Sequence, residues 1–295
     1  MRNTDLATPQ STAIEDLDFR YSDAPRLTVS DGSQLYVEDR GSGPPIVILN
    51  NFFMASPVWR SFTSRLVENH RILTFDFRGQ GGSTSASEAA TWQDHVQDLD
   101  AVVASAGGES VYLLGTSMSA VMCRDYALAW PEKVRGLILA GPALSPWGRR
   151  RGRRILKNWL KVLRSEGMAA LFDEMYPLVF GDLMIETIGT AGYLGLRESF
   201  LILHTQEQID DTLSVSLTAD TDPELLKQLA IPTLLLAGDD DFGWSRSAVQ
   251  AMAGLVSDLA TVEIPRAGHL PFLEATEHFE SAVAQFISEI EGRHG

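Results

Sequence analysis

Two hydrophobic rhythms alternate along this chain. One is a short, continuous apolar run bounded by turn residues: Ile46–Leu49, Arg71–Asp76, Val111–Leu114, Val134–Ala140, Ile231–Ala237 and Ala260–Ile264. Runs of this kind fit strands covered on both faces of a sheet. The other is helical spacing, clearest over Thr91–Ala106, where Val96, Leu99, Val102 and Val103 share one face. Helices are also predicted over Val58–Val67, Met118–Trp130, Arg246–Val256 and Thr276–Glu291, and a hairpin over Arg26–Glu38 around the turn Asp31-Gly32-Ser33. Strand and helix alternate, which predicts an α/β protein: a mostly parallel sheet with helices on both faces.

The alternation breaks between about Ser145 and Leu229. Four helical stretches follow there with no strand between them: Arg153–Glu166, Met168–Met175, a Leu183–Leu203 region and Glu207–Leu217. They are expected to form a helical lid, residues 145–229, inserted before the penultimate strand. The core is expected to be residues 25–144 and 230–295, and the polar residues 1–24 a flexible N-terminal arm.

Composition narrows the function classes. The 295 residues carry a formal charge of −15, and phosphate repels such a surface, which disfavours nucleic acid as the main partner. No apolar run approaches the roughly 20 residues that span a bilayer, and the first ten residues contain no apolar signal core. A cytoplasmic protein is expected. The single cysteine, Cys123, excludes an internal disulfide and a cysteine-type zinc cluster, and no metal-ligand spacing or cofactor motif is present.

The candidate chemistry sits where strands end. Val111–Gly115 runs into Thr116-Ser117-Met118-Ser119-Ala120, a strand, a glycine, a serine two residues later, and small residues opening a helix. A turn this sharp lifts a serine Oγ out of the sheet, and the helix start behind it offers free N–H groups to a developing oxyanion. The second glycine of the usual G-x-S-x-G is Ser119. A serine hydroxyl needs a histidine to take its proton and a carboxylate to hold that histidine. Two later strand ends supply both: Gly238-Asp239-Asp240-Asp241-Phe242, and Pro265 to Glu274 with His269.

Taken together, Asp76-x-Arg78-Gly79-x-Gly81, the turn at Ser117, Gly238-x-x-Asp241, and Gly268-His269 with Pro271 and Glu274 make the chain resemble an α/β-hydrolase-fold protein over residues 27–290. The resemblance implies Ser117, Asp241 and His269 as catalytic residues, with Asp239 and Asp240 as solvated loop charges. It implies oxyanion donors at the N–H groups of Met118 and Phe52, although Asn50-Asn51 stands where the family usually has His-Gly; the Asn51 side-chain amide is an alternative donor. It is loosely similar to two groups, the enol-lactone hydrolases and the carrier-protein-dependent 3-hydroxyacyl transferases.

Several residues near these loops suggest an apolar acyl pocket: Asn51, Phe53, Met54, Phe242, Trp244 and Leu270 as substrate contacts, with Trp59 read as packing. At the start of the expected lid lie Arg149, Arg150, Arg151, Arg153 and Arg154, out of keeping with a chain this acidic. They are expected either to dock a coenzyme A or acyl-carrier-protein thioester, or to pair with Asp173, Glu174 or Glu186. The reading is a hydrolase of an ester or thioester of an apolar acyl chain, acting through an acyl-enzyme. Its alternatives are acyl transfer or cyclisation on a carrier- or CoA-bound chain, lyase or oxygenase chemistry without an acyl-enzyme, and a binding protein on the same fold.

Overall fold

The computed structural model describes residues 14–51, 53–86 and 90–294. Eight strands form one sheet: β1 (Arg26–Thr28), β2 (Gln34–Gly41), β3 (Pro45–Leu49), β4 (Arg71–Phe75), β5 (Val111–Thr116), β6 (Val134–Ala140), β7 (Thr233–Gly238) and β8 (Leu259–Ile264). Their order is β1-β2-β4-β3-β5-β6-β7-β8; β1 and β2 pair antiparallel and every pair from β4 to β8 is parallel. Every residue of β3, β5 and β7 is buried, as their unbroken apolar runs require.

Alternation along those strands sorts side chains into two layers. Val47, Leu49, Leu113, Leu139 and Leu235 face one core, shared with helices α2 (Trp92–Ser105), α3 (Met118–Ala129) and α8 (Arg246–Met252). Ile46, Ile48, Leu114, Ile138 and Leu236 face the other, shared with α1 (Trp59–Phe62), α9 (Pro271–Glu274) and α10 (Thr276–His294). Helix α2 begins at Thr91, whose side chain accepts the Asp94 N–H while Asp94 returns a bond to the Thr91 N–H.

Between β6 and β7, which are neighbours in the sheet, the chain leaves for four helices: α4 (Arg149–Glu166), α5 (Met168–Val179), α6 (Asp182–Leu203) and α7 (Gln206–Ser216). Their apolar faces join the second core through Trp159, Leu163, Phe172, Met184, Phe200 and Leu213. No helix among the described residues is long and apolar enough to cross a membrane.

Some boundaries depart from the sequence reading. The helix expected over Val58–Val67 stops at Phe62. The Thr63 hydroxyl donates to the Trp59 carbonyl (2.6 Å), and Glu280, far along the chain, accepts the N–H groups of Arg65 (2.8 Å) and Leu66 (3.2 Å). Those bonds take the place of a continuing helical ladder. Helix α4 starts four residues before the expected Arg153, so Arg149–Arg151 lie inside it. Helix α5 continues through Pro177 to Val179, losing one backbone donor while burying Tyr176 and Val179. Helix α8 ends at Met252 rather than Val256. Residues 14–24 of the N-terminal arm pack on the core: the Tyr21 hydroxyl donates to buried Asp76 (2.8 Å), and Asp18 forms ion pairs with Arg20 (2.8 Å) and Arg60 (3.1 Å). Residues 1–13 of that arm lie outside the described residues.

Candidate active site

Ser117 stands between β5 and α3 with φ 52° and ψ −118°, a backbone conformation that side-chain-bearing residues rarely adopt. Packing forces the turn. A Cβ on Gly115 would sit 2.7 Å from the Ala120 Cα and 2.7 Å from the Cys123 sulfur, so this strand end admits only glycine. The Ser117 N–H donates to the Ala140 carbonyl (3.0 Å) and its own carbonyl accepts from Ala143 (3.0 Å), which pins the turn to the end of β6. Ser119 is fully buried. Its Oγ accepts the Thr116 N–H (2.9 Å), with the Thr116 carbonyl at 2.8 Å and the Leu49 carbonyl at 3.2 Å as acceptors for its proton. The serine in place of the second glycine is therefore a brace between β5 and β3.

The loops after β7 and β8 bring the partners. His269 Nε2 lies 2.9 Å from Ser117 Oγ, and His269 Nδ1 lies 2.9 Å from Asp241 Oδ2. A carboxylate only accepts, so Nδ1 carries the proton and Nε2 is free to accept the Ser117 hydroxyl proton. Burial alone would lower the His269 pKa. The Asp241 charge and hydrogen bond, with a further contribution from Glu274, outweigh it and raise the pKa above the ordinary 6.5. Gly141, at φ 51°, is pressed against this pair: a Cβ there would sit 3.0 Å from Asp241 Oδ2 and 3.1 Å from His269 Nδ1. Asp239 and Asp240 are exposed, and Asp239 accepts the Arg266 N–H.

Glu274 holds the histidine loop in a way that spacing alone did not reveal. Its carboxylate accepts the N–H groups of Gly181 (2.9 Å), Gly268 (2.9 Å) and Leu270 (3.1 Å), while the His269 N–H donates to the Val179 carbonyl (2.8 Å). The loop is thus tied to the end of α5 and the start of α6. Burial pushes the Glu274 carboxyl above its ordinary value, against the pull of those three donors.

At the end of β3, Asn50 is a structural tie. Its Nδ2 donates to Asp76 Oδ1 (3.1 Å) and the Phe75 carbonyl (3.1 Å), and its Oδ1 accepts from the buried Trp59 indole (2.6 Å). Asn51 Oδ1 accepts the Phe53 N–H (2.9 Å), which leaves its NH2 end as a donor. Met118 occupies the first position of α3, where a backbone N–H has no acceptor within the helix. Phe52, the other expected oxyanion donor, lies outside the described residues.

Two cavities meet at Ser117, and Met118, Leu156, Trp159, Ser216 and His269 also line both. The first, about 120 Å³, is apolar: Asn51, Phe53, Met54 and Leu270 line it with Phe172, Met175, Tyr176 and Phe200 of the inserted helices, and Leu17 and Phe19 from the N-terminal segment. The second, about 490 Å³, runs past Asp241, Phe242 and Trp244 to Arg149, Arg151 and Arg153. Trp244 is also packed in the core, its indole donating to the Pro142 carbonyl (2.9 Å). Arg150 and Arg154 are exposed and line neither cavity. Arginine pairing differs from the sequence reading. Arg149 bridges Asp220 (2.9 Å) and Asp222 (3.0 Å), and Arg153 donates to the Leu217 carbonyl (2.9 Å). Asp173 pairs with Arg197 (3.2 Å) and Glu174 with Asn158 (3.0 Å). Proximity along the sequence misled here because α7 and the segment after it, not α5, flank the start of α4.

Comparison with known proteins agrees with this architecture. Residues 43–282 match the model of the alpha/beta hydrolase family. The chain is similar to a pimeloyl-[acyl-carrier protein] methyl ester esterase of Nitrosomonas europaea, 26% identical over 261 residues, which are 84% of this chain and 98% of that protein. It is also similar to polyketide synthase ThaQ of Burkholderia thailandensis, 26% identical over 283 residues; the match takes in 89% of this chain and only 13% of that protein. Among solved structures, the enol-lactonase from Burkholderia xenovorans LB400 superposes with a TM-score of 0.77 at 21% identity, over 90% of this chain and 100% of that one.

Proposed function

The chain belongs to the alpha/beta hydrolase family, and from that premise we propose that this enzyme cleaves an ester or thioester of an apolar acyl chain through an acyl-enzyme on Ser117. The observation that carries the reading is the Ser117–His269–Asp241 series of contacts, 2.9 Å and 2.9 Å, at the junction of two cavities. Ser117 Oγ attacks the substrate carbonyl carbon as its proton passes to His269 Nε2. Asp241 stabilises the imidazolium, and the Met118 N–H receives the oxyanion, with the Phe52 N–H as the second donor the resemblance assigns. His269 then gives its proton to the departing oxygen or sulfur as the carbon–heteroatom bond breaks. A water, deprotonated by the same imidazole, attacks the acyl-enzyme, and the carboxylic acid leaves with Ser117 restored.

In this reading residues 145–229 act as the lid, over a core of residues 25–144 and 230–295. The apolar cavity takes the acyl chain against Phe53, Met54 and Leu270. A second reading, acyl transfer or cyclisation on a carrier- or CoA-bound chain, is favoured by the arginines at the mouth of the larger cavity. It uses the same residues with a substrate or acceptor hydroxyl in place of water.

The test is the intact mass after treatment with a fluorophosphonate probe, for wild type and Ser117→Ala. One adduct on the wild type that is absent from the variant is expected. No adduct on folded wild type, or turnover that survives in Ser117→Ala, would overturn the acyl-enzyme and leave His269 acting as a base, or a binding role. Identification of ester or lactone rather than free acid among the products would select the second reading over hydrolysis.

A further inference from the structure

The larger cavity runs lengthwise under one face of α4. Arg149, Gly152, Arg153, Leu156 and Trp159, spaced three or four residues apart, line it along the helix, with Arg151 and Ile155 beside them. Ten residues separate Arg149 from Trp159, so the cavity follows the helix for about 15 Å. Its character changes along that length. At the Ser117 end Trp159 is only 5% exposed, while Arg149 and Arg153 at the other end are exposed. A space of this shape suits an extended arm rather than a compact ring.

Two polar atoms in the buried part have no partner in the fold: the Trp159 indole N–H and the Ser145 hydroxyl, which is 7% exposed as a residue. Buried donors are almost always paired, because an unpaired one forfeits its hydration with nothing in return. The other polar side chains buried on this wall are occupied. Ser216 donates to the Thr212 carbonyl (2.7 Å), the Trp244 indole donates to Pro142, and Ser117, His269 and Asp241 bond one another. Trp159 also packs edge-on against Phe53, with ring centroids 6.0 Å apart, which fixes its ring beside the reactive serine.

We propose that the cavity along α4 holds the leaving-group arm of the substrate, and that Trp159 and Ser145 are specificity-determining donors to neutral carbonyl acceptors on that arm. The inference rests on the acyl-enzyme reading above and specifies its leaving group. A chain about 15 Å long, with amide carbonyls along it and an anionic end near Arg149, Arg151 and Arg153, has the chemistry of a phosphopantetheine thioester. The apolar cavity then receives the acyl chain on the other side of Ser117. Of the three arginines, Arg151 forms no ion pair among the described residues, so it meets the anion without first giving up a partner.

The experiment compares kcat/KM for four thioesters of one six-carbon acyl group: on butanethiol, on pantetheine, on coenzyme A and on an acyl carrier protein. Wild type is expected to prefer the pantetheine arm over butanethiol by about a hundredfold, two hydrogen bonds at roughly tenfold each. Trp159→Phe and Ser145→Ala are each expected to cut that ratio about tenfold, mainly through KM. Wild type without the preference, or variants that slow both thioesters equally, would show that these residues only pack, and the inference falls. A protein that labels at Ser117 yet ignores the amide arm overturns this inference alone; one that does not label overturns the parent reading. Faster turnover of the coenzyme A thioester than of the carrier-protein thioester identifies a nucleotide-bearing donor, and the reverse order a protein-bound one.

Discussion

The sheet core and the four inserted helices both meet at Ser117, and they are built by different rules. Around the serine, Ser119, Asn50, Asp241 and Glu274 of the core each bond to two or more groups, although the buried Thr116 hydroxyl beside Ser117 has no partner. The inserted helices bury aromatic and aliphatic faces but leave the Trp159 indole without a bonding partner. A fully satisfied network fixes one geometry, whereas unfilled donors are capacity held for a ligand. On the proposed reading, the core would set the reaction geometry and the insertion would select the substrate. Core variants should therefore slow every substrate, and variants of the insertion should change which substrate is preferred.

The largest expected effect belongs to the core. Asp241→Asn should lower kcat by about 10⁴, because the amide no longer holds His269 in the tautomer that accepts from Ser117. It should do so for apolar esters and for thioesters alike; a loss confined to one substrate class would break the comparison. The raised pKa of His269 sets the accompanying pH dependence. The imidazole must be neutral to accept the serine proton, so activity is lost as pH falls through a value above the ordinary 6.5. Replacing Asp241 removes the charge that raises this pKa, and the acid limb of the kcat/KM profile should move to lower pH.

Next is Glu274→Ala. Two buried N–H groups and one half-buried one lose their acceptor, a cost of about 3 kcal/mol by ordinary hydrogen-bond values. The His269 loop should loosen from α5 and α6 at the same time. Thermal unfolding should register the first effect and a fall in kcat for all substrates the second. Glu274→Gln keeps acceptor oxygen and should recover much of both. If Glu274→Ala alters preference between substrates instead, Glu274 belongs functionally with the insertion.

Acid should strain both regions alike. His95 in α2 and His204 after α6 are buried, and burial holds both pKa values down to about 4 from an ordinary 6.5. The unfolded chain therefore takes up these protons more readily than the folded one. The stability they protect is present above pH 6.5 and drains away as pH falls toward 4, by up to roughly 3 kcal/mol for each residue. His95→Gln and His204→Gln should each flatten the fall of unfolding free energy over that interval. A slope unchanged in both variants would mean that neither histidine is kept neutral by folding.

Much of this arrangement was legible in the sequence, and the parts that were not share a cause. Strand β6 was expected over Val134–Ala140 and is found there, because a continuous apolar run between turns is a local signal. Ser117, Asp241 and His269 each follow a strand that such runs locate, so a single sheet edge brings them together. What stayed hidden depends on residues distant in the chain. The end of α1 is set by Glu280, and the function of Ser119 by the Leu49 carbonyl. Arg149 of α4 finds Asp220 and Asp222 rather than the acids nearer in sequence. Trp159 carries no signal of its own in the sequence, since an unpaired donor is invisible until its surroundings are known.

The smallest expected effect is Arg149→Ala, and it probes the comparison from the side of the insertion. Arg149 joins the start of α4 to Asp220 and Asp222, at the other end of the same insertion, so it clamps the inserted segment to itself. The pairs are solvent-exposed, and pairs of that kind contribute about 0–1 kcal/mol. Asp220 and Asp222 also place negative charge near the start of α4, where the helix dipole favours it and where the arginines themselves are unfavourable. Removing Arg149 therefore loses a weak pair and relieves part of that opposition, and the melting temperature should change by less than about 3 °C. A larger fall would mean that charge holds the two ends of the insertion together. A negligible one means that apolar packing through Trp159, Leu163 and Leu213 holds α4 in place.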